Sequence, residues 1–163
     1  MKKIAVAFTG QSNSGKTTLI VKLSTKLQEN GYKVCIIKHD PKDKAKFDKE
    51  GKDSHKFSST GADVAVVSPI RTTMFKQQTS EIDEIVAMFG EFDYLLVEGL
   101  KSLPLPRICV QRESLNETYF DVSDAIATDS TIDKNDIPNE AEHLDLNNLN
   151  EIIEWIDKNG KRY

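Results

Sequence analysis

The sequence predicts an α/β fold, a three-layer sandwich around a mostly parallel sheet. Three observations lead there. Short apolar runs alternate along the chain with segments whose apolar residues recur at helical spacing. The first two such runs are joined by a glycine-rich turn and a helix, a strand–turn–helix–strand opening that makes parallel neighbours. A length of 163 residues with 38% hydrophobic content suits one domain with a buried core. With no repeat, linker or low-complexity stretch, residues 1–163 are expected to form a single domain.

Each element has its own reason. Lys3–Phe8 is a short apolar run closed by Thr9-Gly10, as a buried strand would be. From Lys16 onward, Leu19, Ile20, Leu23 and Leu27 share one helical face, and Asn30-Gly31 supplies the stop. Lys33–Ile37 is the second strand. Residues 42–56 are dense in charge and read as a solvated loop, followed by a short helix capped by Asp53 or Ser54. Asp63–Val67 and Thr72–Lys76 are strand candidates, and Ser80–Gly90 is a helix with Ser80 as its cap. Tyr94–Glu98, Arg107–Gln111 and Asp124–Thr128 are three further strands. A closing amphipathic helix turns Leu149, Ile152, Ile153 and Ile156 inward.

Composition narrows the function classes. A net charge of −4 and a pI near 5.4, with only four scattered arginines (Arg71, Arg107, Arg112, Arg162), argue against nucleic acid as a partner. The opening MKKIAVAF has too short an apolar run for a signal peptide, and no window approaches the ~20 apolar residues of a membrane span. Cys35 and Cys109 both lie inside apolar runs and read as buried free thiols of a cytoplasmic protein.

The chemistry begins at Gly10-Gln11-Ser12-Asn13-Ser14-Gly15-Lys16-Thr17, which satisfies the phosphate-loop pattern G-x-x-x-x-G-K-[ST]. Backbone N–H groups of such a loop wrap a phosphate chain, and the helix behind it aims its positive end at the anion. Lys16 reaches the β- and γ-phosphates, and the Thr17 hydroxyl ligates Mg²⁺. This makes the fold a P-loop NTPase type. A metal-binding acid is then expected at the end of another buried strand. Glu98 closes Tyr94–Val97; it either binds the metal or simply meets water at the sheet's end. Asp93 opens the same strand and belongs to the opposite sheet edge. Asp40, after the second strand, is a candidate to bind a metal-bound water or to orient the attacking one.

A second Gly-Lys, at Gly51-Lys52, is not another cradle. No glycine or buried strand precedes it at the right distance, and Asp53 stands where a hydroxyl should be. Lys38-His39-Asp40, then Asp48 and Gly51-Lys52-Asp53-Ser54, then Thr60-Gly61-Ala62, then Leu95–Lys101, in that order behind a phosphate loop, resemble the molybdopterin-guanine dinucleotide biosynthesis protein B family. The resemblance runs from Lys3 to about Asp129. It implies a GTP- and Mg²⁺-binding protein, generally dimeric, that assists a guanylyltransferase joining GMP to molybdopterin. It further implies that Gly10 and Asn13, Ser14, Gly15, Lys16, Thr17 and Thr18 carry nucleotide, with Thr17 and Glu98 near Mg²⁺. Lys38, His39, Asp48, Gly51, Lys52, Asp53 and Ser54 would form a second patch, read as a nucleotide-sensing switch or a docking surface for the pterin phosphate or the partner enzyme. The chain departs from the family pattern at Asp40-Pro41, where further histidines are usual, and at Leu100 and Thr60.

Base choice has no clear motif. Asp133–Asp136 only approximates the N/T-K-x-D guanine reader and reads as a surface turn. Asp129, at a strand end, could accept from a guanine N1–H and amino group. Three functions stay open: a slow GTPase acting as accessory factor, an ATP-dependent small-molecule kinase, and an adaptor whose nucleotide only shapes a partner surface. The scarcity of arginines argues against the kinase.

Overall fold

The computed structural model describes all residues, Met1–Tyr163, and the chain divides into two compact units. The first comprises Met1–His39 and Glu91–Tyr163, the second Asp40–Gly90.

The first unit is built on a seven-stranded sheet. Its strands are β1 (Ile4–Thr9), β2 (Val34–Lys38), β5 (Tyr94–Glu98), β6 (Arg107–Gln111), β7 (Ala125–Thr128), β8 (Glu142–Asp145) and β9 (Lys161–Arg162). The order is β2-β5-β1-β6-β7-β8, all parallel, while β9 pairs antiparallel with Ile4 and Ala5 at the start of β1. The mostly parallel α/β expectation is met. The central strands are buried on both faces, which is why they read as unbroken apolar runs rather than alternating ones.

One face of this sheet carries the main core. Ile4, Val6 and Phe8 alternate with Ala5 and Ala7, and it is the larger set that meets α1 (Lys16–Glu29) and α4 (Leu149–Asn159). Leu19, Ile20, Leu23 and Leu27 of α1 and Ile152, Trp155 and Ile156 of α4 complete it. Each fully buried large side chain there contributes roughly 1.5–3 kcal/mol. The opposite face is covered by Ile132 and Ile137, with Leu115, Tyr119 and Phe120, from short 3₁₀ turns and loops packed on Cys109 and Ile126. Both cysteines are buried and free; burial pushes the Cys35 thiol pKa up and that of Cys109 up to about 11. No helix is long and apolar enough to cross a membrane.

The second unit holds α2 (Asp53–Ser58), a two-stranded antiparallel sheet of β3 (Val64–Val67) and β4 (Thr72–Phe75), and α3 (Ile82–Phe89). Two caps differ from expectation. Lys52, in extended conformation, occupies the cap position of α2, so Asp53 and Ser54 are already helical, and Ser54 donates its hydroxyl to Asp48 instead. Ser80 does not cap α3; Glu81 holds that position, and the Ser80 hydroxyl accepts from Lys76. In both cases the residue with the extended cap backbone lies next to the one expected, and neither Lys52 nor Glu81 makes a side-chain cap bond.

In the first unit, β8 and β9 were not anticipated, and neither was the burial of Trp155, whose indole Nε1 donates to Glu142 at 2.8 Å.

Candidate functional site

The C-terminal ends of β1, β2 and β5 and the N-terminus of α1 surround a cleft of about 410 Å³ lined by Ser12, Asn13, Gly15, Lys16, Thr17, Thr18, Lys38 and Glu98. Ligands of open parallel sheets bind at this edge.

The loop from Gly10 to Gly15 owes its path to local backbone chemistry. Gly10 has φ +134°, and a Cβ there would run into the Val110 carbonyl oxygen of β6. Gly15, at φ +97°, caps α1 without any side-chain bond, and the first turn of α1 contains no acid. The amides and dipole at this helix start therefore meet no anionic side chain of their own. Lys16 Nζ donates to the Gly10 and Gln11 carbonyl oxygens, and burial lowers its pKa while the Glu98 charge opposes the shift. Ser14 Oγ is buried with no hydrogen-bond partner. A curled loop of amides, a lysine, an uncompensated helix start and an orphaned buried hydroxyl together fit a polyphosphate chain.

The residues present also fit a divalent ion. Thr17 Oγ1 donates to Glu98 Oε2 at 3.2 Å, so the two oxygen groups expected at Mg²⁺ are neighbours. One hydroxyl, one carboxylate and phosphate oxygens, completed by water, is the donor set this ion takes at nucleotide sites. Glu98 is held from behind. The next backbone N–H, Gly99, donates to the Phe8 carbonyl at 3.0 Å, and the Glu98 carbonyl accepts from His39 N at 2.9 Å. Gly99 has φ +90°, and a Cβ on it would lie 3.0 Å from His39 Cβ. His39 thus packs against the turn that follows the acid.

Arg107 supports the same turn. It is 2% exposed, and its guanidinium donates to the carbonyl oxygens of Gly99, Leu100 and Leu103 at 3.0, 3.1 and 3.2 Å. Burial lowers its pKa, and the Asp124 charge offsets part of that. Nothing in the sequence marks Arg107 for this, because its acceptors are backbone carbonyls four to eight residues upstream.

Asp129 lies beyond β7, at a smaller cleft of about 120 Å³ that also takes in Gly15, Thr18, Lys22, Arg112, Leu146 and Asn147. Hydrogen bonds from Thr131, and the bond and charge of Arg112, hold its carboxyl below the usual carboxylate range against a burial effect that would raise it. Arg112 and Asn147 are companions of Asp129 that sequence reasoning missed.

The second patch divides between the units. Lys38 closes β2 and His39 follows it in the first. In the second, Asp48 accepts from the hydroxyls of Ser54 and Ser58, Gly51 has φ +85°, and Asp53 pairs with Lys56 at 3.2 Å on the surface. Asp40 accepts from the backbone N–H groups of Lys44 and Ala45, both at 2.7 Å, and so organises its own loop. Asp93, by contrast, accepts from Lys2 N and Lys33 N at the starting edge of the sheet, away from the strand ends that form the cleft.

The sequence profile of the family described as "Molybdopterin guanine dinucleotide synthesis protein B" (MobB) matches residues 5–130. The molybdopterin-guanine dinucleotide biosynthesis adapter protein of Haemophilus influenzae is 28% identical over 159 residues, covering 93% of this chain and 86% of the relative. The adapter protein of the same name from Escherichia coli is 29% identical over 172 residues, covering 94% and 93%. The crystal structure of Bacillus subtilis MobB superposes with a TM-score of 0.74 at 22% identity, covering 93% of this chain and 96% of that one, a likeness of fold. With its phosphate loop, its strand-end acid and this match in hand, the chain belongs to the MobB family.

Proposed function

We propose that the chain is a GTP-binding accessory protein of molybdopterin guanine dinucleotide biosynthesis, with slow GTPase activity, assisting a guanylyltransferase that joins GMP to molybdopterin. Its relatives are named adapter proteins of that biosynthesis. The observation that carries nucleotide binding is the contact of Thr17 with Glu98 in the same cleft as Lys16 and the uncompensated start of α1. Gly10 and Asn13–Thr18 hold the phosphates, Thr17 and Glu98 hold Mg²⁺, and Asp129 reads the base. When bound there, Mg²⁺ supplies charge neutralisation at the β- and γ-phosphate oxygens. Lys16 adds a fixed positive charge, and Asp40 is the candidate to orient water. Residues 1–163 act as one nucleotide-binding module, cytoplasmic and homodimeric, with the patch of Asp48 and Gly51–Ser54 facing the partner enzyme or the pterin phosphate.

Arg107 is engaged by three carbonyl groups and Arg112 by Asp129, which supports slow hydrolysis without an arginine finger. Turnover by the isolated protein is expected at about 10⁻⁴ to 10⁻² s⁻¹. The deciding test is equilibrium binding of GTP against ATP with Mg²⁺, using Lys16→Ala as the blank. A GTP preference lost in the variant supports the proposal; an ATP preference overturns it in favour of a kinase.

A further inference from the structure

The parallel register of β2 on β5 sets Lys38 opposite Glu98. Both are the last residues of their strands, and Lys38 Nζ lies 2.9 Å from Glu98 Oε1 while Thr17 Oγ1 bonds the same carboxylate. The ammonium group therefore sits on one of the two groups expected to hold the divalent ion. We propose that Lys38 is a built-in countercation of the metal site. Without a metal it neutralises Glu98, so that the carboxylate does not repel the incoming polyphosphate. When Mg²⁺ takes the carboxylate, Lys38 is displaced from it, within a cleft that it already lines together with Lys16 and Asn13.

Charge and reach suit Lys38 to this role. A carboxylate beside a phosphate chain is unfavourable unless a cation stands between them. Lys38 is the right kind of group for a reversible stand-in, because its side chain is 60% exposed against 15% for Glu98. A half-solvated ammonium on a flexible stem leaves at little cost and finds phosphate oxygens within the same cleft. The backbone behind the pair is tied by the His39 N–H to the Glu98 carbonyl, so the exchange needs only side-chain motion. This assigns Lys38 a role in metal and nucleotide linkage, as distinct from partner docking. It rests on the nucleotide-and-Mg²⁺ reading above.

The test measures GTP affinity by fluorescent-analogue titration, in EDTA and in saturating Mg²⁺, for the wild type, Lys38→Met and Lys38→Arg. Lys38→Met leaves Glu98 without its countercharge: affinity in EDTA falls about tenfold, while affinity in Mg²⁺ falls much less. The ratio of the two affinities therefore rises about tenfold. Lys38→Arg keeps the charge and restores the wild-type ratio. An unchanged ratio in Lys38→Met, or equal losses with and without Mg²⁺, overturns the proposal. A wild-type protein that binds no nucleotide in either condition overturns the underlying reading instead.

Discussion

Arg112 Nε donates to Asp129 Oδ2 at 2.7 Å, and Asp129 Oδ1 accepts from the Thr131 hydroxyl at 2.5 Å and from its backbone N–H at 3.1 Å. The Arg112 side chain also passes Gly15, where a Cβ would lie 3.5 Å from its Cδ. One arginine thus bonds a strand-end carboxylate and lies beside the glycine that caps α1.

In the proposed reading, base selectivity follows from that carboxylate. Asp129 Oδ1 already accepts two bonds from Thr131 and Oδ2 one from Arg112, so the N1–H and 2-amino donors of guanine would have to share Oδ2 or displace these partners. Asp129→Asn replaces one acceptor with a donor, so GTP affinity is expected to fall at least about tenfold. Xanthosine triphosphate, whose 2-oxo group accepts, is expected to gain on GTP. Competition binding of GTP, ATP and xanthosine triphosphate to both proteins checks this; an unchanged GTP-to-ATP ratio assigns base recognition elsewhere.

Gly10 is required sterically as well as conformationally. Gly10→Ala drives a methyl group into the Val110 carbonyl at φ +134°, so it is expected to cost about 1–3 kcal/mol or more and to remove nucleotide binding. Gly31→Ala is the control: φ is +81° and no atom lies within 4 Å, so only the left-handed penalty of about 1–2 kcal/mol remains and binding is kept. Urea unfolding and nucleotide titration of both variants separate the two effects.

Arg107→Met removes the donors to three carbonyl oxygens behind Glu98. Leaving such acceptors buried costs at least about 2 kcal/mol. The urea midpoint should fall with an unchanged slope, and the Mg²⁺ concentration for half-maximal nucleotide binding should rise as the Glu98–Leu103 turn loosens.

His143 gives a pH signature. Its Nε2 lies 2.8 Å from Thr128 Oγ1, and burial, with Lys134 adding to it, lowers its pKa against the pull of Glu151 and Asp145. The unfolded chain, near the ordinary value of about 6.5, then binds the proton more tightly than the folded one. Stability should therefore fall as pH drops through about 6.5, until the folded histidine is protonated too. His143→Gln should flatten this part of the profile. Thermal melts of both proteins at pH 7.5 and 5.5 test the sign.

Much of this architecture was legible because the buried strands announce themselves. Tyr94–Glu98 and Arg107–Gln111 are found at the bounds the sequence predicted, and α1 starts at Lys16, immediately behind its glycine. The strand Glu142–Asp145 was not legible: it is a four-residue edge strand with a polar face, recognisable only through its pairing with β7. At the site, the loop and Glu98 were readable because a motif and a stranded acid each carry a local cost. Lys38 on Glu98, Arg112 on Asp129 and Arg107 on its carbonyls are products of register and tertiary approach. No local pattern encodes those, although the pairing of β2 with β5, once known, gives Lys38–Glu98 directly.

The two buried thiols carry a practical consequence. Cys35 and Cys109 are both shielded and both held toward the unreactive thiol form, so alkylating dyes should pass them by in the native protein. A cysteine placed at exposed Phe47 or Lys52 would then be the sole labelling site, with neither native cysteine replaced. A fluorophore there would report directly whether the Asp40–Gly90 unit responds when nucleotide reaches the phosphate loop.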